Sequence, residues 1–247
     1  TMCTVSIVPM DNGFRLLCNR DESVTRGLAV EPQRHDVGST SAVFPIDPDG
    51  GGTWIGVNAD GVVMALLNRS SAQHAGPRRS DLRSRGAIIP ALLRCGSLSK
   101  AVQAAGALEP HDFAPFQLVA IHGRAVTTVI WNGNGALQAT QTIPLIQPLL
   151  FTSSSVADTP VEPPRRRLFL EMVTNAPDSW LEGQGRFHRH QWPDRRNISV
   201  CMERSDARTV SRSTIDVRAD GSTFEYEPLC AEGAGADPMK RYRTEIR

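Results

Sequence analysis

Two short runs near the start of the chain place apolar residues as paired strands would. Cys3-Thr4-Val5-Ser6-Ile7-Val8 and Phe14-Arg15-Leu16-Leu17-Cys18-Asn19 flank Asp11-Asn12-Gly13. Apolar runs on either side of an Asn-Gly turn predict a β-hairpin over 3–8 and 14–19. The stretch from Gly38 to Gly52 is rich in Gly, Pro, Asp and Ser and reads as loop. Thr53-Trp54-Ile55-Gly56-Val57 and Val62-Val63-Met64-Ala65-Leu66-Leu67 then predict a second hairpin, turning at Ala59-Asp60-Gly61. Residues 69–80 are polar and carry arginines, the pattern of a surface loop.

The period changes after that. Ile88, Ile89, Leu92 and Leu93 fall on one helical stripe, with Ser80-Asp81 as the cap and Pro90 marking a kink or a later start. Ser97 to Leu108 predicts a second helix, capped by Ser97 and closing near Gly106. Strands are expected at 116–122, 125–131, 136–142 and 149–153. Pro163-Pro164 opens a short helix over 165–174. Residues 197–203 and 209–217 alternate as strands, and 222–227 closes a hairpin at Ala219-Asp220-Gly221. Runs of strands interrupted by paired helices indicate an α+β fold rather than alternating βαβ units. A single domain over residues 1–230 is expected. From Ala231 the residues turn small and charged, which predicts a loosely held tail over 231–247.

Composition narrows the function classes. The chain is 40% apolar and 21% charged with a formal net charge of +1, so no acidic partner or nucleic acid is called for. No apolar run reaches the roughly 18 residues of a membrane span, and no secretory leader is visible. The five cysteines (Cys3, Cys18, Cys95, Cys201, Cys230) are scattered, with no CxxC pair to build a zinc site. Free thiols in a reducing cytoplasm are the expectation.

Cys3 carries the candidate chemistry. A cysteine at a mature N-terminus has its own base, because an α-amine titrates near 7.7–8.0 and can take the thiol proton. If Met2 acts as initiator, its removal exposes Cys3; if Thr1-Met2 stays, that amine is missing. The second strand ends in Asn19-Arg20-Asp21-Glu22, where Arg20 and Asp21 are expected close enough to orient thiolate and amine in one shared pocket.

Met2-Cys3, Asn19-Arg20-Asp21-Glu22 and Gly51-Gly52-Thr53-Trp54-Ile55-Gly56-Val57 together resemble the NRDE family, which is related to the eukaryotic transport and Golgi organisation protein. Asn68, Ser84-Arg85-Gly86, Ser211-Arg212-Ser213-Thr214-Ile215 and Ala219-Asp220-Gly221 extend the likeness over roughly residues 2–228. The resemblance implies a four-layer αββα sandwich of two mainly antiparallel sheets, similar to N-terminal-nucleophile hydrolases of the bile-salt hydrolase, penicillin V acylase and acid ceramidase group. By that likeness Cys3 is the nucleophile, with Arg20 and Asp21 beside it, and Asn68 and Arg212 match a later Asn and Arg on the oxyanion side. The implied reaction is hydrolysis of a linear N-acyl amide through a thioester, with no cofactor required. The family is also linked to haem mobilisation and to lipid or membrane trafficking, so the same cleft has a second reading as a carrier of an apolar ligand.

The remaining motifs are weaker. Asn19, Trp54 and Thr152 are candidate substrate contacts; Thr152 opens the polar run Thr152-Ser153-Ser154-Ser155 at a strand end. Gly50-Gly51-Gly52 lacks dinucleotide-loop spacing and reads as a place where backbone passes close to another segment. His188-Arg189-His190 reads as solvated loop rather than a metal or haem ligand pair, and Arg165-Arg166-Arg167 as a solvated basic face.

Overall fold

A computed structural model of the chain describes residues 2–69, 82–153, 158–229 and 241–247. The polar stretch from residue 70, the Ser80-Asp81 cap and Ser154-Ser155 lie outside them. The first predicted hairpin is present as β1 (Met2–Met10) and β2 (Gly13–Ser23), and the second as β5 (Ile55–Asn58) and β6 (Val63–Asn68).

Between these hairpins the loop expected from Gly38 to Gly52 is strand over 40–46, and a further strand precedes it. β3 (Val30–Val37) and β4 (Thr40–Ile46) pair antiparallel, with an irregularity between Val30 and Gln33. β3 is the last strand of its sheet, where Pro32 removes no inner-ladder donor and polar residues face water. That is why Glu31-Pro32-Gln33-Arg34-His35-Asp36 did not read as a strand.

Next come α1 (Ile88–Leu92), entered through a 3₁₀ turn at Arg85–Ala87, and α2 (Leu98–Gly106), whose N-cap Ser97 accepts a hydrogen bond from Lys100. β7 (Phe116–His122), β8 (Ala125–Trp131), the two-residue β9 (Gln138–Ala139) and β10 (Ile143–Pro144), and β11 (Leu149–Thr152) follow. α3 (Asp158–Phe169) begins earlier than expected, so Pro163 and Pro164 sit inside it, and a π turn continues it over Leu170–Thr174. α4 (Trp180–Arg189) was not anticipated. Residues 197–203 are not a strand but begin in a 3₁₀ turn at Arg196–Ile198. β12 (Ala207–Arg218), β13 (Gly221–Pro228) and β14 (Tyr242–Ile246) close the chain. β14 pairs with β13, so the loose-tail expectation does not hold for those last residues.

The strands form two antiparallel sheets. One runs β11-β1-β2-β12-β13-β14; the other runs β10-β8-β7-β6-β5-β4-β3, with β9 beside β8. Strand alternation then assigns the layers. Cys3, Val5, Ile7, Phe14, Leu16, Cys18, Ile215 and Phe224 of the first sheet meet Ile55, Val57, Val63, Ala65 and Leu67 of the second. The second sheet's other face packs Met64, Leu66 and Leu118 on Ile89, Leu92 and Ala101 of the first two helices. The first sheet's other face packs Val8 and Leu150 on Phe169, Val173 and Phe187. The order is helices, sheet, sheet, helices: the expected four-layer α+β sandwich.

Candidate active site

Register decides what Cys3 meets. Cys3 stands opposite Arg20 in the β1–β2 ladder. The Cys3 N–H donates to Ser153 Oγ at 3.2 Å and its carbonyl accepts from Ser153 N at 3.1 Å. Both backbone groups of Cys3 therefore turn toward β11, which makes Cys3–Arg20 a non-hydrogen-bonded pair, the kind whose side chains approach more closely. On the same inner face Cys18 lies diagonal to Cys3 across the β1–β2 ladder, and the neighbouring Cys3 thiol together with burial pushes the Cys18 thiol well up. Cys3 is buried, 3% exposed.

Arg20 is fixed from three sides. Its guanidinium donates to Asp47 Oδ2 at 2.6 Å, lies 3.6 Å from Glu22 and stacks 4.1 Å from the centroid of the Trp54 ring. Asp47 also takes Arg26 at 2.8 Å. The hydrogen bond from Arg26 and the charges of Arg20 and Arg26 outweigh its burial and hold its carboxyl below the usual range. The Asp47 loop is pinned in turn by Thr53 N–H donating to Gly86 O at 3.0 Å. A Cβ on Gly52 would lie 2.3 Å from Gly86 carbon. The glycine cluster and Ser84-Arg85-Gly86 thus meet backbone to backbone, and the close approach sets Trp54 over Arg20.

Asp21 corrects the expectation of one shared pocket. Consecutive strand residues point to opposite faces, so Asp21 turns to the helix side, away from the Cys3 thiol. There Thr209 Oγ1 donates to its Oδ1 at 2.6 Å, while Oδ2 is buried and has no hydrogen-bond partner among the described residues. Burial raises the Asp21 pKa to about 6, against the pull of the Arg165 charge and the Thr209 hydrogen bond.

The helix-side face carries a polar network. Arg165 is fully buried, against the solvated-face reading of its triplet. It donates to Thr4 Oγ1 at 2.8 Å, Thr152 Oγ1 at 3.0 Å and Ile198 O at 3.1 Å, and also to Ser199 O. His188 is buried too, not in a solvated loop. Asn19 Nδ2 donates to His188 O and Val200 O at 2.9 Å each, which leaves Asn19 Oδ1 to accept from His188 Nδ1 at 3.0 Å. His188 Nε2 then accepts from Ser6 Oγ at 2.7 Å. Burial, with the nearby charges of Arg212, Arg165 and Arg189, holds His188 well below its usual pKa and therefore neutral.

The predicted site residues thus divide. Cys3, Arg20 and Trp54 come together in the layer between the sheets. Asn19 and Thr152 lie on the helix side, bound within the fold rather than open to a substrate. Arg212 is there as well, opposite Asn19, with its guanidinium donating to Glu227 at 2.8 Å. Alternation sets Asn68, at the end of β6, with Met64 and Leu66 on the α1 side, away from Cys3. Cys18, Asp47 and Arg165 are not among the expected site residues, whereas Ser153 belongs to the polar run that begins at Thr152. Arg165 had a legible signal: Val161, Arg165 and Phe169 recur every four residues, and all are buried.

The sequence profile of the family described as Transport and Golgi organisation 2 matches residues 2–178. No curated protein matches the chain. Among solved structures, the fold is similar to that of the Caenorhabditis elegans N-acylethanolamine-hydrolyzing acid amidase ortholog, with a TM-score of 0.55 and 13% identity, covering 97% of this chain and 99% of that one. At that identity the likeness speaks for the fold, which is N-terminal-nucleophile-hydrolase-like.

Proposed function

We propose that this chain, which belongs to the Transport and Golgi organisation 2 family, hydrolyses a linear N-acyl amide with Cys3 as nucleophile once Cys3 is the first residue. One observation carries the reading. The Arg20-Asp21 dipeptide places a guanidinium on the thiol's face of the sheet and a carboxylate on the other, while the backbone nitrogen of Cys3 lies in the sheet plane between them. A free ammonium there has three protons. One keeps the direction to Ser153 Oγ, 3.2 Å away. Another points along the vacated bond to Met2, the residue that pairs with Asp21. The unpartnered Asp21 Oδ2 supplies the acceptor such an ammonium needs.

The reaction then runs on the chain's own groups. The neutral amine takes the thiol proton, and the Arg20 charge stabilises the thiolate. Sulfur attacks the acyl carbonyl. The ammonium returns the proton to the amide nitrogen, the C–N bond breaks, and an amine leaves the acyl group on sulfur as a thioester. Water, deprotonated by the same amine, releases the acid and restores the thiol. Loss of Met2 also removes the residue that pairs with Asp21 at the end of β1. The setting proposed is the cytoplasm, as for a protein with free thiols.

The test is protein expressed with Met2 as initiator, assayed on a panel of N-acyl amides and weighed intact. Expected are loss of the methionine and turnover that Cys3→Ala abolishes. Retained methionine in active protein, or turnover untouched by Cys3→Ala, contradicts the reading. Tight haem binding that survives Cys3→Ala, with no turnover, replaces it with the carrier reading.

A further inference from the structure

Among the described residues, three polar atoms between the sheets are buried without a hydrogen-bond partner: Trp54 Nε1, Ser211 Oγ and Ser213 Oγ. Their residues are 7%, 1% and 0% exposed. Buried polar groups are rarely left unsatisfied, so each calls for an explanation. Nothing in the catalytic cycle above uses them.

Their positions are related by register. Ser211 stands opposite Arg20, which stands opposite Cys3; Ser213 stands opposite Cys18, the thiol diagonal to Cys3. The two serines are therefore two strands from Cys3 on the same inner face, Ser211 directly across at about 10 Å and Ser213 two residues further along at about 12 Å, at the usual strand and residue spacings. Cys3, Cys18, Ser213 and Ser211 form a strip of small side chains across that face. Trp54 reaches over it from the second sheet, 4.1 Å above Arg20 and 6.5 Å from Tyr226, which is the partner of Ser213 on β13.

The chemistry of the strip selects a ligand. An indole N–H only donates, and both hydroxyls can donate. Their common complement is an acceptor oxygen. The neighbouring charges are already matched, Arg20 and Arg26 against Asp47 and Glu22. A carboxylate would therefore face two fixed anions and compete with the Cys3 thiolate for Arg20, whereas a neutral oxygen needs only donors.

We propose that Trp54, Ser211 and Ser213 form an acyl-side subsite for a neutral carbonyl or hydroxyl oxygen carried about 10 Å from the scissile carbonyl. The substrate class is then an oxygenated acyl chain rather than a plain hydrocarbon one. This rests on the amidohydrolase reading for its catalytic consequence, but not for binding.

Two p-nitrophenyl esters test it: a plain medium-chain acyl ester, and the same chain with a ketone about 10 Å from the ester carbonyl. The rate of Cys3 acylation is followed by nitrophenolate release and by mass of the Cys3 peptide. The ketone chain is expected to react about tenfold faster, as sites built to hydrogen-bond a substrate group discriminate against its absence. That ratio should fall to about 1 in Ser211→Ala/Ser213→Ala and shrink in Trp54→Phe, which removes only the N–H and keeps an aromatic ring. Equal rates in the unaltered protein, or a ratio that survives all three substitutions, overturns the proposal and leaves the hydroxyls to water. A ratio favouring a carboxylate-ended chain over the ketone also overturns it. Calorimetry of the ketone-chain amide on Cys3→Ala protein separates the two readings. Binding there that the serine double substitution removes, with no acylation of the unaltered protein, keeps the subsite and rejects the hydrolase. Absence of such binding rejects the subsite even where Cys3 is acylated.

Discussion

At the residue scale the chain's chemistry turns on adjacent residues facing opposite ways. Cys3, Arg20 and Asp21 were legible as chemistry-bearing residues, but their orientation was not, because a strand end can be read in either phase until its neighbours are placed. Phe14, Leu16 and Cys18 on the inner face fix that phase and send Arg20 inward and Asp21 outward. Arg165 was misread for a related reason. Its two arginine neighbours are exposed, while it alone falls on the apolar stripe of α3. Its guanidinium bridges Thr4 and Thr152 to the Ile198 and Ser199 carbonyls and is the strongest charge acting on Asp21. Arg165→Met should destabilise the fold by about 3 kcal/mol, the cost of leaving buried groups without their cation. Adding Asp21→Asn should recover part of that loss, since the carboxylate no longer needs it. Urea denaturation of the single and double variants measures both effects; strict additivity would mean that the two residues do not interact.

At the element scale, hairpins were the easiest features to read and α4 the hardest. Asn12-Gly13 and Asp60-Gly61 sit between runs of clear alternation, and both turns formed where expected. α4 carries Gly183 and Gly185, each about 1 kcal/mol worse than alanine in a helix, so its local signal is weak. Tertiary packing explains one of them: a Cβ on Gly183 would lie 2.1 Å from the Met172 carbonyl oxygen. The helix is held instead by Phe187 in the core and by the Ser6, Asn19 and His188 bonds. Gly52 is the same kind of contact on the other side of the molecule. Gly52→Ala should cost about 1–3 kcal/mol by overpacking against Gly86, and it should loosen Trp54 over Arg20. A lowered Tm together with a changed Trp54 fluorescence would bear this out; an unchanged Tm would show that the two backbones separate at no cost.

At the scale of the whole molecule, most polar groups between the layers are hydrogen-bonded within the fold, and Asp21 Oδ2, Trp54 Nε1, Ser211 Oγ and Ser213 Oγ stand out against that background. Layer order was legible through the family likeness, whereas the polar helix-side network was not, since it joins residues more than 150 positions apart, Asn19 and His188 among them. That network makes stability depend on pH with opposing signs. His188 is held well below its unfolded value of about 6.5. The folded state thus binds fewer protons than the unfolded one, and stability falls as pH drops below that value. Asp21 titrates at about 6 when folded, against about 3.9 unfolded. The folded state then binds the extra proton, and stability rises as pH falls from 6 toward 4. Between pH 6 and 4 the two slopes oppose each other, each up to about 1.4 kcal/mol per pH unit. Asp21→Asn should remove the compensating slope, so the variant loses stability on acidification more steeply than the unaltered protein in denaturant titrations across that window. Parallel curves would mean Asp21 titrates alike in both states.

The central claim, acyl transfer through Cys3, is most directly tested by mixing Met2-initiated protein with an N-acyl amide, quenching in acid within a turnover and weighing the digested peptides. The account predicts the acyl mass on the peptide that begins with Cys3, sensitive to hydroxylamine as a thioester is. Acyl transfer to any other residue, or product formed while Cys3 still follows Met2, would contradict it.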